Sequence, residues 1–418
     1  MSLTRPSVFR QLPFMGVIRV NVEAMAHGFR LGDPDWANLG QGQPEFGEME
    51  GAPRRMEHAP FDPADHAYGP IEGIPELREA VAAHYNRLYR QGKASQYGPE
   101  NVAVAPGGRA ALTRIGATLD DVRLGYFTPD YTAYEDLLTT FPRIEPVWIE
   151  LGPSRGWTID PADLDRRVTE DRLNALLISN PCNPTGAVVH GEELRAWVEM
   201  SRRRGVTLLL DEFYSHYVYV EGHDRPVSAA EFVEDVNEDP VILVDGLTKS
   251  FRYPGWRSGW VVAPRDVIHN LAAAGSFLDG GPCRPIQRAV IEVLESDRAD
   301  QETAATRRVF REKQRLTLQR LKSVGVRFDR DPQGTFYVYG YVGELPSPLN
   351  DGVAFMREAF RHKVLTVPGE FFDVNPNRER PAPSPLDPYV RFSFGPERSI
   401  LEMGLDRLES MIGEVRPG

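Results

Sequence analysis

Cysteine is scarce in this chain, with two in 418 residues, Cys182 and Cys283. A secreted scaffold stapled by disulfides is thereby excluded, and two thiols in so long a chain fit a reducing compartment. Long apolar runs are missing as well. No stretch approaches the roughly 18 apolar residues that a membrane span needs. The opening Met1-Ser2-Leu3-Thr4-Arg5-Pro6 lacks the apolar core of a signal peptide, so a cytoplasmic location is expected. Positive charge is in deficit, since 48 Lys and Arg against 60 Asp and Glu leave a net charge of −12. That argues against a nucleic-acid partner, which calls for a basic face, and against electrostatic docking on a membrane. There is no internal repeat and no low-complexity tract.

What is present is ordinary globular material. The chain is 41% hydrophobic and 26% charged, too apolar to stay disordered. At roughly 150 residues per domain, two or three domains are expected. After Pro75 and Glu76, a good helix start, Leu77, Ala80, Val81, His84 and Tyr85 recur at helical spacing. Short runs then appear at Val102–Ala105, Ala175–Ser179, Val206–Leu210 and Val241–Val244. Each is four or five residues long and almost wholly apolar, as in strands buried on both faces of a mostly parallel sheet. Helical stretches lie between them, such as Gly191–Arg204 with Leu194, Trp197 and Met200 on one face. Strand alternating with helix predicts an α/β domain.

From Ala289 to Val324 the pattern turns long, charged and helical, with Arg307, Arg308, Arg311, Lys313 and Arg315 expected on solvated faces. This segment leads to a second, smaller domain, whose strands are read at Phe336-Tyr337-Val338-Tyr339 and Tyr389–Phe394. The segment Asn375–Pro388 holds five prolines and reads as a surface loop.

In an open α/β sheet, ligands bind beyond the carboxyl ends of the strands. The residues that follow the apolar runs therefore matter most. They are Pro106-Gly107-Gly108-Arg109-Ala110, Asn180-Pro181-Cys182-Asn183-Pro184-Thr185-Gly186, Asp211-Glu212-Phe213-Tyr214 and Asp245-Gly246-Leu247-Thr248-Lys249. Together they offer a glycine turn opening a helix, an amide, a carboxylate, a phenol and an amine. That inventory suits pyridoxal phosphate. A glycine-rich helix start presents N–H groups to a phosphate. A strand-end carboxylate holds a pyridinium nitrogen protonated, and a lysine amine forms a Schiff base with an aldehyde. A P-loop reading of Gly246–Ser250 fails, because the Gly-x-x-x-x-Gly-Lys spacing is missing. No metal is called for.

Several motifs stand in a telling order. They are Leu39-Gly40-Gln41-Gly42-Gln43-Pro44, Tyr68-Gly69-Pro70 with Gly73–Arg78, Gly107–Leu112, Asn180–Gly186, Asp211 with Tyr214, Lys249 with Gly255-Trp256-Arg257-Ser258-Gly259, Pro332–Tyr337, and Tyr389-Val390-Arg391-Phe392-Ser393. On these the chain resembles the class I/II aminotransferases, fold type I pyridoxal-phosphate enzymes, from about Asn38 to Gly395. The resemblance implies a large domain with a mostly parallel sheet flanked by helices, plus a smaller α+β domain. Residues 1–48 would form an N-terminal arm and part of the small domain, 49–290 the large cofactor-binding domain, and 291–418 the small domain.

The resemblance also implies roles. Lys249, eight residues before Arg257, is the Schiff-base lysine and proton shuttle. Asp211 is the partner of the pyridinium nitrogen, and Tyr214 and Asn183 bond the ring oxygen. Arg257 binds the phosphate, with the backbone of Gly108, Arg109 and Ala110 as its cup. Tyr131 stacks on the ring, where many relatives have Trp or Phe. Arg391 clamps the substrate α-carboxylate, and Gly42 adds a backbone donor to it. Tyr68 reaches the phosphate of the other subunit of a homodimer with shared sites. Phe14, Met15, Tyr131, Arg284 and Phe371 are candidates for side-chain recognition. Gly246 departs from the pattern, since many relatives place Ser there. The Pro-rich loop 375–388 has no clear counterpart and is a candidate cover for the cleft.

The implied reaction moves an amino group from an amino acid to a 2-oxo acid in two half-reactions. The same constellation also supports elimination, replacement or cyclisation, so a pyridoxal-phosphate lyase or synthase is the alternative. A cofactor-sensing domain of a regulator is disfavoured, because no basic helix-turn-helix extension precedes residue 50.

Overall fold

The computed structural model describes residues 14, 16–223, 225–380 and 383–415. A short strand, β1 (Ala37–Asn38), precedes seven that form one sheet. These are β2 (Val102–Ala105), β3 (Val122–Thr128), β4 (Ile144–Glu150), β5 (Ala175–Ser179), β6 (Thr207–Asp211), β7 (Val241–Gly246) and β8 (Gly259–Val262). Their spatial order is β2-β8-β7-β6-β5-β3-β4. Only β8 runs antiparallel to its neighbours, so the other six strands end on one edge. β2, β5 and β7 are buried at every position, as their unbroken apolar runs require when helices cover both faces.

Three strands escape an apolar-run reading, each for a visible reason. In β3, Arg123 and Gly125 interrupt the run. Gly125 is there for space, because a Cβ would come 2.7 Å from Leu176 and 2.8 Å from Leu173. β4 is the sheet edge, half exposed, and carries Pro146, which an edge tolerates. β8 is four residues long and opens on Gly259, against the backbone of Gly107 and Gly108.

The helix Gly191–Arg204 shows how local sequence sets its ends. Glu192 and Glu193 occupy its first turn, Arg202, Arg203 and Arg204 its last, and Gly205 stops it at φ 65°. The expected long helix is in fact two, Arg284–Val293 and Ser296–Ser323, broken at Leu294 and Glu295. Lys313 corrects the solvated reading of that segment. It is buried, with Nζ 3.0 Å from Glu45 and 2.6 Å from the Pro396 carbonyl.

Beyond it, β9 (Tyr337–Tyr341), β10 (Val364–Leu365), β11 (Val367–Pro368) and β12 (Tyr389–Ser393) complete the strands. β12 is central in an antiparallel sheet of order β11-β12-β9, and β1 pairs parallel with β10. Of the two strand readings of this region, the first starts one residue later, at Tyr337, and runs on to Tyr341, and the second ends one residue earlier, at Ser393. The Pro-rich segment 375–388 does not cover the cleft; none of its described residues lines the cavity. It lies along the helix Ala133–Thr140 through Asn375 N to Glu135 (3.0 Å), and Arg380 stacks 4.4 Å over Trp148. Pro381 falls outside the described residues.

Candidate active site

A cavity of about 350 Å³ opens where the strand ends meet the three-stranded sheet. That is within the roughly 300–1,000 Å³ of small-molecule sites. Gly42, Gly108, Arg109, Tyr131, Asn183, Asp211, Tyr214, Lys249, Arg257 and Arg391 all line it. Of the residues singled out in the sequence, Ala110 sits one position behind the lining, in the first turn of the helix Gly108–Thr118. Tyr68 lies outside the cavity and is fully exposed in the single chain. Phe14 is exposed away from it, Phe371 packs against Gly16 and Arg19, and Met15 falls outside the described residues. Arg284 is already engaged, donating to the Ala64 carbonyl at 2.7 Å and lying 3.4 Å from Asp65.

Local folding explains how the lining converges. Asn38 accepts from the N–H groups of Gly40 (3.1 Å) and Gln41 (2.9 Å), which turns the chain after β1 into the cavity. The carbonyl of Gly42 then accepts from Lys249 Nζ, and that of Gly40 from Arg391 Nη2 at 2.6 Å. A Cβ at 42 would stand 2.8 Å from the Tyr337 hydroxyl, which would have to shift to admit it. On β5's far side, Asn180 bonds both N–H and C=O of Val189 at 2.9 Å and so closes the loop carrying Asn183.

Lys249 is the cavity's amine. Burial pulls it down to about 7, and the positive Arg391, Arg109 and Arg257 add to this, with Asp211 opposing. Asp211, at the end of β6, is lifted by burial to about 6. Tyr134 donates to it at 3.0 Å and the Phe213 N–H at 3.4 Å, both favouring its ionised form. The Tyr214 and Tyr337 hydroxyls meet at 2.7 Å, and burial holds Tyr214 well above the usual phenol range.

Arg391, on β12, is 1% exposed. Nη1 donates to Asn183 at 2.8 Å, and the guanidinium lies 4.0 Å from the centre of the Tyr337 ring. No carboxylate pairs with it among the described residues, and its Nε has no acceptor. A buried, unpaired cation with an open donor is costly unless an anion arrives.

The anion end is built by a helix start. Gly107, at φ +88°, caps the helix Gly108–Thr118 without a side-chain bond, and Arg257 fills the space a Cβ there would take, 2.5 Å from Nη2. Gly108 likewise makes room for the Phe213 ring. Helix N–H groups and the Arg257 guanidinium suit a phosphate. Together with an amine, a carboxylate and two phenols, the donor set fits pyridoxal phosphate.

Some lining residues carry no warning in the sequence. Tyr337 closes the quoted Pro332–Tyr337 motif, and Gln41, Gln43, Phe213 and Thr248 lie within quoted segments, but no role attaches to them there; Ser179 reads only as a strand end. Val17, Ile18 and Asn21, on the helix Gly16–Ala26, close the mouth from a segment with no motif. Tyr134 had one signal, its spacing of three from Tyr131, which turns both toward the sheet at the start of a helix.

Comparison with known proteins agrees with this geometry. The family model for aminotransferase class I and II matches residues 34–408. A probable aspartate/prephenate aminotransferase of Aquifex aeolicus is 27% identical over 403 residues, covering 95% of this chain and 96% of that one. One from Thermus aquaticus is 31% identical over 322 residues, covering 76% and 80%. The solved aspartate aminotransferase of Thermus thermophilus with maleate superposes with a TM-score of 0.78 at 26% identity, covering 96% and 100%. None of these is named as a lyase or synthase.

Proposed function

Because the chain belongs to the class I and II aminotransferases, and so moves an amino group between an amino acid and a 2-oxo acid, we propose that the Lys249 cavity is where it does so. The family depends on pyridoxal phosphate, and we assign that cofactor to this cavity. When bound, it supplies an aldehyde that accepts the amino group and a ring that stores the electron pair left at Cα.

The chain's own residues do the rest. Lys249, with its amine near 7, is uncharged in a useful fraction at neutral pH. It therefore serves as nucleophile and then carries the Cα proton on Nζ. Asp211 faces the ring nitrogen, and Tyr134 orients its carboxylate. Tyr214 and the Asn183 amide face the ring oxygen. Arg257, the side chain of Thr248 and the N–H groups of Gly108, Arg109 and Ala110 hold the phosphate, while Tyr131 stacks on the ring. Gly42 contributes backbone to the carboxylate end. Arg391 binds the α-carboxylate, and its open Nε is the single observation that most supports this reading.

The relatives are named for aspartate and prephenate. We extend the donor class to amino acids with a second carboxylate. Arg109 supports this, as a cavity cation whose Nε bonds the Tyr131 hydroxyl at 3.2 Å and which has no carboxylate partner among the described residues.

A homodimer completes the reading. Tyr68, Phe61 and Phe277 are exposed aromatics, and Tyr68 would reach the partner's phosphate. We divide each chain into a large unit, 49–290, and a small unit, 291–418, that takes in 1–48. The β1–β10 pairing supports that grouping.

The test is a half-reaction. Purified holoprotein is mixed with single amino acids, without any 2-oxo acid, and the cofactor's visible band is followed. Loss of the band with one 2-oxo acid formed per site is expected, fastest with dicarboxylic donors. A perturbed band with an unsaturated or cyclised product instead would contradict the reading.

A further inference from the structure

We propose that Asp130 is a positioning residue for amino-group transfer, tying the end of β3 to the end of β5 and so aiming Asn183 and Arg391 at the substrate. The inference rests on the reading of the Lys249 cavity given above.

Asp130 stands two residues past the end of β3, after Pro129, and is fully buried. No cation pairs with its carboxyl among the described residues. Its oxygens receive three donors instead. Oδ1 accepts from the Tyr131 N–H at 2.7 Å and from the Ser179 hydroxyl, and Oδ2 accepts from the Ser179 N–H at 3.2 Å. Its own N–H donates to the Phe372 carbonyl at 3.1 Å, so the backbone cannot swing away. One side chain thus fixes the backbone under Tyr131 and the last residue of β5.

The order of donors carries the argument further. With its proton turned to Asp130, the Ser179 oxygen is left to accept, and it does so from the Asn183 N–H at 3.2 Å. The Asn183 Oδ1 accepts in turn from Arg391 Nη1 at 2.8 Å. A single chain of bonds therefore runs from Asp130 through Ser179 and Asn183 to Arg391. It has a sense of direction only because its far end is an acceptor. An apolar residue at 130 would free the Ser179 hydroxyl to rotate, and the loop 180–186 would lose its hold on the guanidinium. Burial lifts this carboxyl to about 8, so it is largely uncharged at neutral pH, with Oδ1 still accepting from both the Tyr131 N–H and the Ser179 hydroxyl. The carboxyl is explained by the polar atoms it sets in line.

The test uses the holoprotein and four variants, Asp130→Ala, Asp130→Asn, Ser179→Ala and the double variant combining Asp130→Ala with Ser179→Ala. The probe is the α-methyl analogue of the best donor in the half-reaction, which has no Cα proton to transfer. Its Kd is measured by calorimetry, alongside KM, kcat and the pH at which the visible band titrates. In Asp130→Ala, Kd and KM are expected to rise about tenfold together, with kcat falling less than KM rises, and the band midpoint is expected to shift. Asp130→Asn keeps the acceptor for Ser179 Oγ and should recover most of the affinity. Ser179→Ala should mimic Asp130→Ala, and the double variant should add little to either, as for residues in one network. A purely structural role would lower Tm and leave Kd and the band midpoint alone, which would overturn the proposal. Should Asp130→Ala fail to fold, an unchanged Kd in Ser179→Ala overturns it equally. A wild-type protein with no cofactor band would instead strike the cavity reading on which the inference stands.

Discussion

Lys249 and Asp211 are opposite cases of the same physics. Burial disfavours charge, so the lysine falls to about 7 and the carboxyl climbs to about 6. In the apoprotein this sets opposite stability slopes. Between about 7 and the ordinary lysine value of 10.5, the unfolded chain binds more protons than the folded one at Lys249, so stability rises with pH there. Between 3.8 and about 6, the folded chain holds the extra proton at Asp211, so stability falls as pH rises. Lys249→Met should therefore raise the apoprotein Tm at pH 6.5 and raise it less at pH 9.5. An equal gain at both values would show that the lysine is not held in a charge-averse place. At Arg391, Arg391→Gln should raise KM for amino acids on the order of 30-fold or more, the scale of losing one partner of a desolvated charge pair. An unchanged KM would remove it from the substrate. These positions were legible in the sequence because each follows a strand or lies in a short motif. Tyr337 ends the quoted Pro332–Tyr337 motif, but its role was not legible, because a tyrosine in an apolar strand reads the same whether its hydroxyl faces a core or a cavity.

At the scale of elements, the sheet edge does the gathering. β5, β6 and β7 end beside one another, with Ser179 opposite Asp211 and Asp211 opposite Val244. Their apolar runs made them visible, whereas β3, β4 and β8 were hidden by an arginine, an edge proline and a glycine start. Gly246 shows why one departure from the family pattern is forced. It sits opposite Gly259, and a Cβ would lie 2.5 Å from the Gly259 Cα and 2.6 Å from the Ser258 carbonyl. Both are backbone, which cannot step aside. Gly246→Ser should thus cost about 1–3 kcal/mol as overpacking, read as a lower urea midpoint. A serine accepted without loss would mean that β7 and β8 separate more easily than their pairing implies. The helix Gly16–Ala26 illustrates the limit of motif reading, since Val17, Ile18 and Asn21 reach the cavity by long-range packing that no local spacing announces.

The whole molecule carries a net charge of −12, yet its cavity is the reverse. Arg109, Lys249, Arg257 and Arg391 line it against the single carboxylate of Asp211. A total charge is no guide to what the cleft attracts. Such a cleft draws anionic substrates, and screening weakens that pull. KM for a dicarboxylic donor should therefore rise with salt more steeply than KM for an uncharged-side-chain donor. Parallel salt curves would argue that Arg109 does not meet the second carboxylate. The proposed homodimer belongs to this scale as well, and the role proposed for Tyr68 rests on resemblance, because a fully exposed tyrosine in a single chain has no local physics to mark it.

The central claim is that Lys249 bonds the cofactor inside this cavity, and one measurement tests it directly. Holoprotein is reduced with borohydride, digested and mapped by mass spectrometry, beside Lys249→Ala treated in the same way. The account predicts a pyridoxyl adduct on the peptide containing Lys249 and none in the variant. An adduct on another lysine, or one that persists in Lys249→Ala, would contradict it.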